Sequence, residues 1–251
     1  MMENVALVTG GARRIGKAIS ETLARHGYAV AIHCHNSGTE AACVKSHIEA
    51  QGGRAAVIRT DLSDPAAAGS LMEEAEAALG PVTLLVNNAS EFEPDGIGSL
   101  DVARWDRHFS VNLRLPVFLA DAFASRLPAG RDGAIVNIID QRVLKPTPHF
   151  LSYALTKAGL FAATRTLAQA LAPRIRVNGV GPGPTLANSR QDSEDFRRQT
   201  DALLLRRGPS PEDIADAVLY LARARSVTGQ MIAVDGGQHL AWETPDVLVN
   251  E

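Results

Sequence analysis

The chain has 251 residues, of which 45% are hydrophobic, and a formal charge of −3 at pH 7. One large α/β domain fits this length, and the charge balance argues against a nucleic-acid-binding surface. Cys34 and Cys43 show no metal or redox spacing, so we expect buried thiols in a reducing compartment and no metal site. We find neither a signal-peptide pattern nor an apolar run of roughly 18 residues, and therefore predict a soluble cytoplasmic protein.

Short apolar runs alternate with longer amphipathic segments along the chain. The apolar runs predict seven strands, at residues 5–9, 29–33, 55–60, 82–86, 134–139, 176–180 and 231–234. The amphipathic segments predict helices at residues 15–26, 40–51, 65–79, 104–126 (broken or kinked near Pro116), 152–171 and 211–222. This alternation predicts an α/β fold, a doubly wound parallel sheet of the Rossmann type with helices on both faces.

The domain organisation follows from the same pattern. Residues 1–240 are predicted to form one domain, and residues 241–251 a tail with little pattern. Residues 192–207 are charged and weakly patterned, which predicts a mobile lid.

A glycine-rich turn, TGGARRIG, follows the first predicted strand at residues 9–16. Glycines there allow a tight turn and close approach of the backbone to a ligand. The helix that follows offers unpaired N–H groups to a pyrophosphate. We therefore predict a dinucleotide site that is formed by Gly10, Arg13, Arg14, Ile15 and Gly16.

The end of the second predicted strand distinguishes NAD from NADP. NAD-binding chains carry an acid there, which accepts from the ribose hydroxyls, whereas residues 32–37 read IHCHNS. An acid would repel a 2′-phosphate, and His33, Asn36 and Ser37 can donate to one. The sequence therefore predicts NADPH as the cofactor.

Tyr153 and Lys157 lie four residues apart in a segment with a helical pattern. This spacing places both side chains on one helix face, with Cβ atoms roughly 5–6 Å apart. A neighbouring ammonium favours the phenolate and lowers the pKa of a tyrosine from about 10 toward working pH. The two residues are therefore a candidate acid/base pair, with Lys157 lowering the pKa of Tyr153.

Together these motifs resemble the short-chain dehydrogenase/reductase family over nearly all of residues 4–240. The resemblance implies that Tyr153 exchanges the proton, that Lys157 holds the nicotinamide ribose, and that Asn112 completes the catalytic set through a helix kink and a water. It further implies cofactor contacts from Asp61, Leu62, Asn88, Ala89, Ser90, Tyr153, Lys157, Pro182 and Gly183. Family members commonly pair helices across two-fold axes, so we predict a homotetramer.

At three motif positions the residues of this chain resemble those of the pteridine reductase branch of that family. Asp140 lies thirteen residues before Tyr153, where the family usually has serine, and Arg14 replaces a glycine of the turn. Phe92 follows the NNA motif, where a flat pterin could stack between it and the nicotinamide. The predicted substrate contacts are Arg14, Ser90, Phe92, Asp140 and Tyr153.

We therefore predict an NADPH-dependent reductase that transfers hydride to a C=N bond of a dihydropterin or dihydrofolate. Tyr153 is the predicted proton donor, and an ionised Asp140 would keep it protonated. One alternative is a ketone or 3-oxoacyl-carrier-protein reductase, against which Asp140 argues. The other is a non-catalytic NADPH-binding regulatory protein, against which the intact Asn112, Tyr153 and Lys157 argue.

Overall fold

The centre of the molecule is a seven-stranded parallel sheet. The computed structural model describes residues 4–187, 190–244 and 247. The strands are β1 (Asn4–Val8), β2 (Tyr28–Cys34), β3 (Ala55–Arg59), β4 (Val82–Asn87), β5 (Gly133–Ile138), β6 (Ile175–Pro182) and β7 (Met231–Val234). Their order is β3-β2-β1-β4-β5-β6-β7, with every neighbouring pair parallel. The predicted doubly wound sheet of seven strands is confirmed.

Helices cover both faces of this sheet. They are α1 (Arg14–Arg25), α2 (Gly38–Ala50), α3 (Ala67–Leu79), α4 (Val102–Phe109), α5 (Leu115–Arg126), α6 (Leu151–Leu171), α7 (Ser193–Asp201) and α8 (Pro211–Arg223). β1 shows how the two cores arise: Val5 and Leu7 pack with α3 and α5, whereas Ala6 and Val8 pack with α1, α2 and α8. Successive side chains point to opposite faces, and both faces are covered, so the strand is apolar throughout.

The long helix predicted at residues 104–126 begins at Val102 and is interrupted by a π-helical turn at Ser110–Arg114. Pro116 lies in the first turn of α5, where a missing N–H group is tolerated. The break therefore comes from the π turn, which inserts an extra residue into the helical ladder. Asn112 lies in this turn and is buried.

Five sequence predictions need correction or stay open. Residues 193–201, within the predicted lid, form helix α7, whose first N–H groups are capped by Asp192. Cys34 is buried as expected, but Cys43 is exposed because α2 turns Val44 and Ile48 inward instead. Most of the predicted tail lies outside the described residues, and the single-domain assignment and the cytoplasmic location stay predictions. No helix among residues 4–187 and 190–244 is long and apolar enough to cross a membrane.

Candidate active site

A cavity of about 460 Å³ opens at the carboxyl ends of the strands, beside β1 and β4, where the strand order reverses. This is the position at which open α/β sheets bind their ligands. The cavity is lined by nearly all the predicted site residues: Gly10, Arg13, Arg14, Ile15, Gly16, His33, Asp61, Leu62, Asn88, Ala89, Ser90, Phe92, Asp140, Tyr153, Lys157, Pro182 and Gly183. Asn36, Ser37 and Asn112 are the predicted residues that do not line it.

The glycine-rich turn forms the floor of this cavity. A Cβ atom at Gly16 would lie 2.0 Å from the Gly10 carbonyl oxygen, so only glycine fits there. Asn88 directly follows β4, the strand beside β1 in the sheet, and it holds the turn in place. Its Nδ2 donates to the carbonyls of Thr9 (2.9 Å) and Gly10 (3.1 Å). Helix α1 begins without a side-chain cap at Arg13, which leaves N–H groups of its first turn for an anionic ligand.

The end of β2 differs from the sequence prediction. Nδ1 of His33 accepts a hydrogen bond from the Gly10 N–H (3.0 Å), so Nε2 carries the proton and donates to the Thr60 carbonyl (3.0 Å). Burial lowers the pKa of His33, so its ring is neutral and both nitrogens are used. The prediction that His33 donates to a 2′-phosphate is therefore wrong: the side chain fixes the turn instead.

His35 was missed from the sequence, yet it lines the cavity together with Arg13. Its Nε2 lies 3.9 Å from Oδ2 of Asp61, and its carbonyl accepts from Nε of Arg59 (2.9 Å). Strand periodicity was a usable signal, because residues two apart point to the same face. His33 and His35 thus both point to the cavity side of the sheet edge, and only His35 reaches solvent.

Tyr153 and Asp140 are in direct contact. The Tyr153 hydroxyl donates to Oδ2 of Asp140 (2.7 Å), whose Oδ1 accepts from the Arg142 backbone N–H (2.8 Å). Burial, reinforced by the Asp140 carboxylate, raises the pKa of Tyr153 well above its ordinary value. The net shift is therefore opposite to the expected one, and the cation that acts to lower the pKa of Tyr153 is Arg142 rather than Lys157.

Lys157 lies one helical turn further along α6 and is buried. Its ammonium donates to the Ile138 carbonyl (2.8 Å) and lies 5.7 Å from the centre of the Tyr153 ring. Burial lowers the pKa of Lys157 to about 8, although Asp140 acts in the opposite direction. The site thus holds a cation that can lose its proton just above neutral pH.

The Asn112 side chain braces the loop after β4. Its Oδ1 accepts from the Glu91 N–H (2.8 Å), and its Nδ2 donates to the Glu91 carbonyl (2.9 Å) and to the Thr156 hydroxyl (3.3 Å). The side chain is therefore fully engaged with neighbours other than Lys157. The water-mediated role of Asn112 stays a prediction.

A buried network, also missed from the sequence, joins the same loop to the start of α6. Nε2 of His108 accepts from the Glu93 N–H (3.1 Å), so Nδ1 donates to the Ser152 hydroxyl, which in turn donates to Asp95. The Asp95 carboxylate also accepts the Ser152 N–H (3.1 Å), which satisfies an N–H group at the helix end. The network fixes the residue that precedes Tyr153.

Phe92 stacks against Phe150, with ring centres 4.5 Å apart and planes 15° apart, and meets Tyr153 edge-on at 4.6 Å. Phe150 was not identified from the sequence, since it comes into contact only through its left-handed backbone (φ +58°). Arg142 lies over both phenylalanine rings, at 5.5 and 5.3 Å. Phe92 therefore already has two aromatic partners, the stacked Phe150 and the edge-on Tyr153, in addition to any substrate.

Arg14 reaches across the mouth of the cavity. Its guanidinium donates to the carbonyls of Leu186 (3.1 Å) and Ala187 (2.9 Å), and its own backbone is left-handed (φ +52°). The arginine thus ties the glycine-rich turn to the segment after β6, where the sequence predicts the substrate loop. Its guanidinium borders both the turn and the pocket beyond it.

Comparison with known proteins agrees with this geometry. The model of the short chain dehydrogenase family matches residues 4–198. The chain belongs to the short-chain dehydrogenase family. The resemblance that the motifs indicate is therefore confirmed.

The relatives of this chain include a dihydrofolate reductase, a pteridine reductase and a 3-oxoacyl reductase. FolM alternative dihydrofolate reductase 1 from Brucella canis, solved with NADP, is 55% identical, with a TM-score of 0.95 and coverage of 98% of both chains. Pteridine reductase 1 from Leishmania tarentolae is 33% identical over 94% of this chain and 96% of its own. A 3-oxoacyl-[acyl-carrier-protein] reductase FabG from Staphylococcus epidermidis is 32% identical over 95% of this chain and 100% of its own.

Proposed function

We propose that the protein is an NADPH-dependent reductase that reduces a C=N bond of a dihydropterin or dihydrofolate. The observation that carries this proposal is the 2.7 Å hydrogen bond from Tyr153 to Asp140. A carboxylate holds the proton donor here, where carbonyl reductases of the family usually place a serine hydroxyl. Similarity to the pteridine reductase and to the FolM protein supports the same substrate class.

The cavity fits a dinucleotide. The glycine turn admits no Cβ at Gly16, and the uncapped start of α1 suits the pyrophosphate. Arg13 and His35 are the cavity residues that would face a 2′-phosphate, and Lys157 would hold the nicotinamide ribose. NADPH, when bound, supplies the hydride.

Tyr153 supplies the proton. Its raised pKa keeps the phenol protonated across neutral pH. A ring nitrogen gains negative charge as its C=N bond is reduced and becomes far more basic than a phenolate, so even a weakly acidic phenol transfers its proton. Afterwards Asp140 disfavours the phenolate, which drives the uptake of a new proton from solvent.

Substitution of Asp140 separates this proposal from its main alternative, a ketone or 3-oxoacyl reductase such as the FabG relative. Oxidation of NADPH is followed with dihydrobiopterin, dihydrofolate and a 3-oxoacyl thioester. We expect the parent to reduce a dihydropterin, and Asp140→Ser to lose that activity by about 10²-fold. A parent that reduces only the thioester, together with a more active Asp140→Ser variant, would show that the substrate is a ketone.

We also propose that the protein is a homotetramer. Phe118 on α5 and Leu155 on α6 are 56% and 45% exposed, and apolar side chains on long helices favour burial against another subunit. Light scattering at micromolar concentration tests the assembly, and a monomer would refute it.

A further inference from the structure

A second pocket of about 400 Å³ adjoins the catalytic cavity, and Arg14 and Ile15 at the end of the glycine-rich turn line both. The two share Phe92, Asp140 and Tyr153 in their walls. The charged side chains that line this outer pocket are three arginines and one carboxylate: Arg14, Arg142, Arg190 and Asp140. Its walls therefore carry a net positive charge in a chain whose formal charge is −3, and a positive cleft attracts anions.

Arg142 is the least satisfied of these cations. Its side chain is only 23% exposed, and its guanidinium lies over the rings of Phe92 and Phe150. The Asp140 oxygen nearest to it is 3.8 Å away, which is too long for a hydrogen bond. Within the described part of the chain no protein acceptor forms a hydrogen bond with its guanidinium N–H groups, which remain open to the pocket. They are therefore available to an acceptor on a ligand.

The neighbouring side chain is an unpaired acceptor. Gln141 is buried and lines the same pocket, and its Oε1 has no hydrogen-bond partner among the described residues. Because this oxygen is enclosed by the protein, a ligand in the pocket would meet the Arg142 guanidinium instead. A carboxylate is an acceptor that matches the donors of a guanidinium.

The cofactor does not account for these residues. Arg142 and Gln141 do not line the cavity that contains the glycine-rich turn, where the phosphates would lie. Arg190 is also absent from that cavity, donates to the Phe92 carbonyl (3.0 Å) and lies 3.3 Å from Glu93. Its charge is balanced by the Glu93 carboxylate, so Arg142 is the cation of the outer pocket that is left for a ligand.

We propose that the outer pocket, through Arg142, binds a carboxylate on the side chain of the pterin. The inference rests on the proposed function and narrows it, because it selects acid-bearing pterins over uncharged ones. Arg142 is then a specificity-determining residue, since a guanidinium matches the two oxygens of a carboxylate in a bidentate geometry. Raised salt should weaken binding of the acidic substrate more than binding of the neutral one.

The test compares dihydrofolate, which carries carboxylates, with dihydrobiopterin, which carries none. Initial rates are measured with the parent, Arg142→Gln and Arg25→Gln, whose arginine is exposed at the end of α1 remote from the pocket. We expect Arg142→Gln to lower kcat/KM for dihydrofolate at least tenfold more than for dihydrobiopterin, through KM. Arg25→Gln, which removes the same charge, should leave kcat/KM unchanged for both dihydrofolate and dihydrobiopterin.

Equal losses for both substrates with Arg142→Gln would overturn the inference, because they would mean that Arg142 acts only through Asp140. An unchanged dihydrofolate KM would overturn it as well. If the parent reduces neither pterin, the proposed function itself fails. Calorimetric titration of the NADP-loaded protein with 4-aminobenzoylglutamate then decides the inference separately: it stands if Arg142→Gln lowers the affinity at least tenfold, and fails otherwise.

Discussion

The hydroxyl of Tyr153 donates to Oδ2 of Asp140 at 2.7 Å. This hydrogen bond joins the loop after β5 to the first turn of α6, and it lies at the junction of the catalytic cavity and the outer pocket. Burial raises the pKa of Tyr153 and lowers that of Lys157, and the Asp140 carboxylate acts to raise both. One acidic side chain therefore influences both residues of the candidate acid/base pair.

Removal of the hydroxyl tests the proton donor. Tyr153→Phe keeps the edge-on contact with Phe92 but leaves no group to protonate the substrate. We expect turnover of a dihydropterin to fall about 10²-fold or more, since general acid catalysis contributes that much. NADPH affinity, measured by fluorescence titration, should change little. Turnover within a few fold of the parent would mean that another group supplies the proton.

The pH dependence tests the coupling of Asp140 to Lys157. The pKa of Lys157 is lowered to about 8, so kcat/KM for NADPH, which reports on the free protein, should fall above that pH as the ammonium is lost. Asp140 raises this pKa, so its neutralisation in Asp140→Asn should move the basic limb to lower pH. A limb that does not move, or moves to higher pH, would contradict the coupling.

The network behind the catalytic helix makes a prediction about stability. Asp95→Ala removes the acceptor of the Ser152 hydroxyl and N–H, and so leaves a buried donor unpaired. We expect the free energy of unfolding, from urea titration, to fall by about 2–3 kcal/mol, the upper part of the range for an unpaired buried group, because two donors lose their acceptor. Asp101→Ala is the control: its carboxylate caps the exposed start of α4, and its loss should cost about 1 kcal/mol. Equal costs for the two variants would argue against a special role of the network.

The strands and most helices could be predicted because their signals are local. Residues 231–234 were predicted as a strand and form β7 with the same bounds, and the motif residues of the glycine turn reach the cavity together. The exception is α7, whose charged residues lack an apolar face, so the helix is set by the Asp192 cap rather than by periodicity.

The errors arise where the role of a residue depends on tertiary contacts. His33 has the right type for a phosphate site, but its two nitrogens are taken by Gly10 and Thr60, which are far apart in sequence. Phe150 comes beside Phe92 only after two loops pack together. No local pattern records either contact, so neither role was accessible from the sequence.

The last prediction concerns cofactor preference. We expect NADPH to bind at least tenfold more tightly than NADH, which corresponds to about 1.4 kcal/mol. The structural reason is that Arg13 and His35 line the cavity and can donate to a 2′-phosphate. One carboxylate, that of Asp61, already lies 3.9 Å from the His35 ring. His35→Asp places a second carboxylate there, so it should weaken NADPH binding at least tenfold through repulsion of the 2′-phosphate.

Ser37→Asp is the matched control for that variant. It introduces the same charge two residues along the chain, but Ser37 does not line the cavity and occupies the cap position of α2, where aspartate is favoured. NADPH affinity should therefore fall much less than in His35→Asp. Fluorescence titration of both cofactors against the parent and the two variants measures these changes. Equal parental affinities for NADPH and NADH would contradict the predicted preference. A larger loss with Ser37→Asp than with His35→Asp would place its determinant at Ser37, as the sequence predicted, rather than at His35.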